Sequence, residues 1–336
     1  MQPLLLGGDW TGLAPGLVYV LALLLALLLD VALGEPPARW HPVVWLGNYL
    51  SWAGRRCAPR VSSAGGDMGA ALPVARYPKL EFWRGMGHWL AGAALVVLIA
   101  WALQATLLAG PGWLAALGLG VLLKPLLAWR MLYQEVQAVE LALGQSLAAG
   151  RERLSWLCSR DVSMLSEAEV RETAIESLAE NFNDSVVAPV FWFVLLGLPG
   201  AALYRYANTA DAMWGYVGQR KGRDWTWAGK WAARVDDVLS WLPARISAAL
   251  LALAAGGVSF AALRREAAVT PSPNGGWPMA AMALALDVGL GKPGVYRIHS
   301  TGGSPQHGHT RQALRLASRS VPCLLVLACG VLLFTR

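Results

Sequence analysis

Residues 176–192 read ESLAENFNDSVVAPVFW, and in this stretch a polar cluster runs directly into a continuous apolar segment. The cluster consists of Glu176, Glu180, Asn181, Asn183 and Asp184. Ionisable side chains next to a membrane-depth segment are functional candidates by default, because a charge is costly to place in lipid. The stretch therefore predicts the wall of a polar site at a membrane surface.

The composition of the whole chain supports a membrane location. Of its 336 residues, 56% are hydrophobic and only 15% are charged, whereas soluble domains carry about 25% charged residues. The sequence predicts an all-α, polytopic integral membrane protein with about four to six transmembrane or re-entrant helices and polar helical loops. The chain, residues 1–336, is interpreted as a single membrane-embedded domain.

The apolar runs predict where the spanning helices lie. A helix of about 20 apolar residues crosses the roughly 30 Å hydrocarbon core. The first run lacks the basic start and cleavage pattern of a signal peptide and is interpreted as a retained helix. Residues 62–69 are predicted to be a flexible connection. The predicted spans are 12–34, 88–109, 113–129, 237–260 and the shorter 321–334.

Residues 161–184 have the pattern of a helix that begins with a capping box at Ser166 and Glu169. A spacing of three or four places five carboxylates on one face of this helix. Like charges at this spacing destabilise a helix by a few tenths of a kcal/mol per pair. Either an external cation or basic partner neutralises them, or the N-terminal glutamates form a solvated face. The five are Glu169, Glu172, Glu176, Glu180 and Asp184.

The apolar segment 185–203 is interrupted at Pro189 and again at 198–200, which read Leu-Pro-Gly. Proline removes a backbone donor and kinks or breaks a helix at a cost of about 3 kcal/mol. We expect that this segment does not cross the bilayer as one straight helix. If it folds back, Asn208 and Asp211 come close to Glu180 and Asp184; the alternative is an ordinary kinked span.

A basic loop follows, with Arg220, Lys221 and Arg223. These side chains either hold a phosphate or fix the membrane topology, since cytoplasmic loops are enriched in Lys and Arg. The net charge of +7 is explained mainly by the same topology rule.

Two further segments carry candidate binding residues. The adjacent Asp236 and Asp237 precede an apolar helix and suit magnesium, which prefers oxygen ligands; the alternative is an ion pair with Arg245. Asn274 and Trp277 lie in a turn-rich loop and could hydrogen-bond or stack on a flat ligand.

Several functional classes are disfavoured by what the sequence lacks. It has no phosphate-binding G-x-x-x-x-G-K-[ST] loop, no H-E-x-x-H and no G-x-S-x-G. Its four cysteines show no framework spacing, so we expect neither disulfides nor structural zinc. The residues alone indicate a membrane protein for a charged, phosphorylated substrate, and no nucleic-acid partner is expected.

Six stretches, in order, resemble the adenosylcobinamide-phosphate synthase family (CobD/CbiB) of cobalamin biosynthesis. Together they cover about residues 30–295. Three positions depart from the usual family pattern: Glu35, Ser240 and Gly275. The stretches are GEPPARWHPVVWLG (34–47), SRDVSML (159–165), ESLAENFNDSVVAPVFW (176–192), NTADAMWGY (208–216), ARVDDVLSWLPARI (233–246) and SPNGGWPMAAMA (272–283).

The resemblance implies an acid–amine ligase that uses ATP and magnesium. Such an enzyme joins (R)-1-amino-2-propanol phosphate, or free aminopropanol, to the propionate side chain of adenosylcobyric acid, giving adenosylcobinamide phosphate. It implies a multi-pass protein of the cell inner membrane, in contact with membrane lipid and with other membrane-bound late cobalamin enzymes as partners.

The resemblance also distributes roles over the candidate residues. The catalytic set is Glu180, Asp184, Asp211, Asp236 and Asp237, and the magnesium ligands among these are Glu180, Asp184 and Asp237. The substrate-binding set is His41, Asn181, Asn208, Arg220, Lys221, Arg223, Arg245, Asn274 and Trp277, in which the four cationic side chains hold phosphates.

Two other functions remain open at this point. One is a membrane sensor related to the β-lactamase induction protein, whose relatives we expect to lack the segments 236–245 and 274–278. The other is a corrinoid transporter, since broken helices with buried carboxylates also suit transport; the sequence shows no inverted repeat. The side of the membrane that holds the site is not fixed by the sequence.

Overall fold

The fold of the chain is all-α, as predicted. The computed structural model describes residues 13–61, 78–158 and 160–336, so the proposed connection at 62–69 lies outside the described residues. Two short antiparallel hairpins accompany the helices, β1 (Gln219–Arg220) with β2 (Arg223–Asp224) and β3 (Leu290–Lys292) with β4 (Tyr296–Ile298). The helices are α1 (Pro15–Leu33), α2 (Pro42–Cys57), α3 (Pro78–Leu108), α4 (Gly112–Leu123), α5 (Trp129–Leu143), α6 (Leu147–Leu154), α7 (Glu167–Phe182), α8 (Ala188–Leu196), α9 (Leu198–Trp214), α10 (Lys230–Ala254), α11 (Phe260–Ala267), α12 (Gly276–Leu286) and α13 (His307–Thr335).

Five helical segments of the described residues are long and apolar enough to cross a membrane: α1, α3, the segment Gly112–Leu143, α10 and α13. Large apolar side chains on α3 and α13 point away from the protein, with Leu98 62% and Val326 74% exposed. Exposed apolar surface of this extent is typical of a lipid-facing helix. The predicted number of spans is therefore confirmed.

The predicted ends of some spans are wrong. The last helix begins at His307 and has 29 residues, whereas the apolar run predicted 321–334. Likewise α10 begins at Lys230, and it ends at Ala254 because Gly256 and Gly257 have positive φ. Hydropathy marks the part of a helix inside lipid, but backbone hydrogen bonding continues through the polar turns outside it.

The helix predicted at 161–184 is α7, and it begins with the expected capping box. The Ser166 hydroxyl accepts from the Glu169 N–H at 3.4 Å, and the Ser166 N–H donates to Glu169 Oε2 at 2.7 Å. A π-helical turn over Asn183–Val187 then leads into α8. Pro189 causes no break, because it lies in the first turn of α8 directly after the widened turn; the predicted interruption there is wrong.

The chain reverses at Gly197. Its φ of +71° and ψ of −155° belong to a region that only glycine adopts readily. Helix α9 then packs back along α8, and the freed N–H of Leu198 donates to Gln104 Oε1 at 2.8 Å. The prediction that 185–203 does not cross as one straight helix is confirmed.

Contacts at the helix ends divide the protein into two ends. At one end, which we call the tip end, the turn at Gly197 lies beside Gln104 of α3, and Arg336 after α13 donates to Leu195 O at 3.2 Å. The other end, which we call the polar end, carries the start of α7 and the loop that follows α9.

Labelling with an impermeant maleimide tests this arrangement. In a cysteine-free background, single cysteines at Met164 and Val217 should react from the same membrane face, because α7–α8 and α9 form one hairpin. A cysteine at Phe334 should react from the opposite face. The three side chains are 85%, 91% and 93% exposed. Labelling of positions 164 and 217 from opposite faces would refute the hairpin.

Candidate active site

Three helices and one loop bring six carboxylates together in a region that we call the acidic cleft. Their mutual repulsion is evident in the electrostatics of Glu180, Asp211 and Asp236, each of which is influenced by carboxylates from other segments. The cleft therefore unites sequence segments up to 60 residues apart. Its carboxylates are Glu176, Glu180 and Asp184 from α7 and the π turn, Asp211 from α9, and Asp236 and Asp237 from α10.

Asp184 connects the elements that build the cleft. Its Oδ1 accepts from Asn183 Nδ2 at 2.8 Å and from the Tyr204 hydroxyl at 3.3 Å. Its Oδ2 accepts from Asn208 Nδ2 at 3.0 Å. Tyr204 in turn hydrogen-bonds Ser240 of α10 at 3.1 Å. The predicted approach of Asn208 to Asp184 is thus confirmed, and both oxygens of this carboxylate already have donors.

The loop before α12 closes another side of the cleft through Asn274. Its Nδ2 donates to the backbone oxygen of Asp237 at 2.7 Å, and its Oδ1 accepts from Arg245 at 2.8 Å. The Arg245 guanidinium lies between the rings of Trp241 and Trp277, at 4.5 and 4.8 Å from their centroids. In this geometry Arg245 fixes the loop, and its predicted contact with a substrate phosphate stays a prediction.

The glutamates of α7 have partners within the chain. Glu172 and Glu176 are 6% and 1% exposed, so the expectation of a solvated acidic face is wrong for them. Arg297 donates to Glu172 at 3.1 Å, and Arg160 donates to Glu176 at 2.7 Å. The Tyr296 hydroxyl also donates to Glu176. The basic partner that the pattern required is therefore supplied by the β3–β4 hairpin and by the segment before α7.

Two carboxyls of the cleft bind protons more tightly than usual. Glu180 remains accessible to water in the cleft but is surrounded by protein, and its partial withdrawal from bulk water, together with the charges of Asp184 and Glu176, raises its pKa to about 7. Burial and the nearby Asp184 and Asp237 raise the pKa of Asp211 to about 6. Groups that titrate near neutrality are suited to proton transfer.

The donor set of the cleft fits a hydrated magnesium ion. Asp236 Oδ1 is buried and has no hydrogen-bond partner, and it lies among the other carboxylates. No three His, Cys, Asp or Glu side chains within the described ranges converge closely enough to hold a metal by themselves. Magnesium keeps several waters and takes only one or two carboxylates together with phosphate oxygens, so it does not need such a cluster.

Five of the predicted site residues are not brought into the cleft. His41 caps α2, where its Nδ1 accepts from Val43 N–H at 3.2 Å and its Nε2 pairs with Glu35. Asn181 donates to Ser177 O of its own helix at 2.9 Å. Arg220, Lys221 and Arg223 line a separate pocket beyond the C-terminal end of α9.

Other residues of the cleft were missed by sequence reasoning. Asn183 is inside the opening stretch and is 3% exposed, where it joins Asp184 to Ser247. Arg160 lies in one of the family-like stretches and its charge was a usable signal. Tyr204 and Tyr296 carried no signal, because a tyrosine in an apolar or turn-rich segment is ordinary.

Fold and cleft together define the class: a polytopic helical membrane protein with a carboxylate-rich cleft formed where a helical hairpin meets a spanning helix. Residues 23–320 match the family described as CobD/Cbib protein. The chain belongs to this CobD/CbiB family of cobalamin biosynthesis.

Individual relatives support the assignment. The chain is 37% identical to the probable cobalamin biosynthesis protein CobD of Methanothermobacter thermautotrophicus, over 94% of this chain and 98% of the relative. It is 39% identical to the cobalamin biosynthesis protein CobD of Chromobacterium violaceum, over 88% of this chain and 91% of the relative. No solved structure is significantly similar to the chain.

The raised pKa of Glu180 predicts how stability depends on pH. Between its ordinary pKa of 4.5 and about 7, the folded state binds more protons than the unfolded state, so stability falls as pH rises. Glu180→Gln should flatten the decrease of the melting temperature between pH 5 and pH 8, measured in detergent.

Glu152→Gln, on the surface of α6, is the matched control for this measurement. It should retain the wild-type slope. An identical slope for Glu180→Gln and wild type would contradict the raised pKa.

Proposed function

We propose that the chain is an acid–amine ligase that forms the amide between adenosylcobyric acid and aminopropanol phosphate, or aminopropanol, at the expense of ATP. The observation that carries the proposal is the convergence of Asp184, Asp211, Asp237 and Asn274 in one cleft. These residues come from four separate stretches that resemble the synthase family, and the CobD names of the relatives agree with a role in cobalamin biosynthesis.

The proton chemistry of amide formation suits the cleft. The substrate carboxylate is first activated, most simply as an acyl phosphate, and the amine then attacks it. An alkylammonium ion must lose a proton before it becomes a nucleophile. Glu180, with its pKa of about 7, is the carboxylate best placed to accept that proton at neutral pH.

The ring of carboxylates also supplies the charge that holds the amine. An ammonium group placed between Glu180 and Asp211 satisfies carboxylates that repel each other in the empty cleft. Asp184 has a different role in this proposal, because Asn183, Tyr204 and Asn208 already occupy its oxygens. It orients the helices that carry the other groups.

Magnesium is the metal that the donor set fits. Asp236 and Asp237 would hold it, with Glu180 nearby, and when bound it would neutralise charge on the phosphates. The earlier assignment of Asp184 as a ligand is the weakest of the three for the reason given above.

We further propose that the cleft faces the cytoplasm from the inner membrane. The polar end carries the basic loop after α9 and the basic start of α10, with Lys230 and Arg234. Cytoplasmic ends of spanning helices are enriched in Lys and Arg. This orientation gives the cleft access to ATP.

Reconstitution tests the ligase proposal. Purified protein in detergent, supplied with adenosylcobyric acid, aminopropanol phosphate, ATP and magnesium, should form the amide, detected by mass spectrometry. Well-folded protein that forms no product with any nucleotide would contradict the ligase. Corrinoid accumulation in proteoliposomes without ATP turnover would indicate a transporter.

Asp237→Asn should lower turnover by at least about a hundredfold, because it keeps the shape of the side chain but removes the charge that a metal or an ammonium group needs. Asp287→Asn is the control, since Asp287 caps α12 in a left-handed conformation that asparagine tolerates. Activity of Asp237→Asn within about threefold of wild type, less than 1 kcal/mol, would assign Asp237 to a structural role.

A further inference from the structure

A second cavity, which we call the basic pocket, lies beyond the C-terminal end of α9 and has a volume of about 350 Å³. Four cationic side chains line it: Arg55 of α2, and Arg220, Lys221 and Arg223 of the β1–β2 hairpin. The remaining wall is uncharged and consists of Ser51, Gly54, Ala212, Met213, Trp214 and Trp225. Its charge is thus opposite to that of the acidic cleft.

The fold places these cations together by a tight hairpin. Lys221 and Gly222 have φ of +49° and +71° and form its two-residue turn. The turn pairs Arg220 directly with Arg223 across the ladder. The backbone of residues 60 and 61 adds to the same hairpin, with Val61 N–H donating to Gly222 O at 3.0 Å.

Helix α2 brings Arg55 to the pocket because Gly54 permits close contact. A Cβ at position 54 would lie 2.7 Å from the Trp225 ring and 2.9 Å from Trp214 Nε1. These two rings stack at 6.0 Å between centroids. Arg55 is therefore held beside a rigid aromatic floor.

The charges of the pocket are not compensated within the described chain. Like charges directly opposite each other on paired strands are destabilising, and Arg220 and Arg223 have this arrangement. Among described residues none of the four cations forms an ion pair. Arg220 Nη1 is buried without a hydrogen-bond partner, which is costly for a charged group. An anion in the pocket would relieve both the repulsion and the missing bond.

The basic pocket and the acidic cleft meet at Gly215. A side chain at this position would collide with Asp211 Oδ1, so the Asp211 carboxylate lies directly over the glycine. The next residue, Tyr216, carries the Arg220 guanidinium on its ring at 3.5 Å from the centroid. One short backbone segment thus separates a carboxylate of the cleft from a cation of the pocket.

We infer that the basic pocket binds the phosphate monoester of a small zwitterionic substrate, whose ammonium group lies at Asp211 and Glu180, and that Arg55 is a substrate-binding residue. This inference rests on the proposed function, because it assigns the two ends of the amine substrate to the two sites. It selects the phosphorylated amino alcohol over the free amino alcohol. Arginine is suited to the task, since its planar fork matches phosphate oxygens.

Arg55 and Arg56 provide a matched pair of variants. Arg56 is also exposed, but its guanidinium stacks on Trp52 at 3.8 Å and it donates to Trp52 O, and it does not line the pocket. Arg55→Gln should raise the KM for the phosphorylated amino alcohol by about tenfold or more, as expected for a lost charge-assisted bond. It should leave kcat and the KM for the free amino alcohol nearly unchanged. Arg56→Gln should change none of them.

A binding measurement that requires no turnover separates this inference from the ligase proposal. Calorimetry of the detergent-solubilised protein with O-phosphoethanolamine should show binding that is weakened in Arg55→Gln and retained in Arg56→Gln. Binding with this pattern in a protein without ligase activity would keep the phosphate site and refute the proposed function.

Three outcomes would overturn the inference. The first is equal weakening in both variants, which would indicate a general effect of net charge. The second is the absence of phosphoethanolamine binding in wild type. The third is displacement of phosphoethanolamine when the protein is placed in nanodiscs containing phosphatidylglycerol but not in those of phosphatidylcholine alone, which would identify the occupant as a lipid headgroup.

Discussion

The structure depends on how one carboxylate, that of Asp184, is accommodated inside a helical membrane protein. A buried carboxylate is stable only where donors replace its water. The donors come from the adjacent Asn183, and from Tyr204 and Asn208 of the helix that returns after Gly197. Tyr204 extends the network to α10. The satisfaction of this single group thus fixes the register of three helices and, with it, the position of every other carboxylate in the cleft.

The helical hairpin makes this network possible and also separates the two charged regions. Reversal at Gly197 directs α9 back towards the polar end, so its final turn presents Asp211 to the cleft and Trp214 to the basic pocket. Opposite charges lie side by side there without neutralising one another, because Gly215 and Tyr216 intervene. Such a division suits a ligand with a positive and a negative end better than it suits a simple ion.

Local sequence patterns predicted the elements well and their partners poorly. The capping box at Ser166 and the reversal within 185–203 depend on neighbouring residues, so they were predictable. The partner of Glu176 was not, since Arg160 and Tyr296 reach it from 16 and 120 residues away. The expectation of a solvated acidic face failed for that reason. Similarly, Pro189 was interpreted as a break because a π-helical turn leaves no clear sequence signature.

The sequence by itself determined the membrane class, the all-α fold, the presence of a site beside residues 176–192 and the family, because composition, periodicity and motifs are properties of contiguous residues. Only the tertiary structure decided which charges face each other. It placed Asp184 with Asn208, left His41 as the cap of α2, and added Arg55 to the three cations of the hairpin. The physical reason is that electrostatic and hydrogen-bond partners are chosen by distance in space, and the reversal at Gly197 sets those distances.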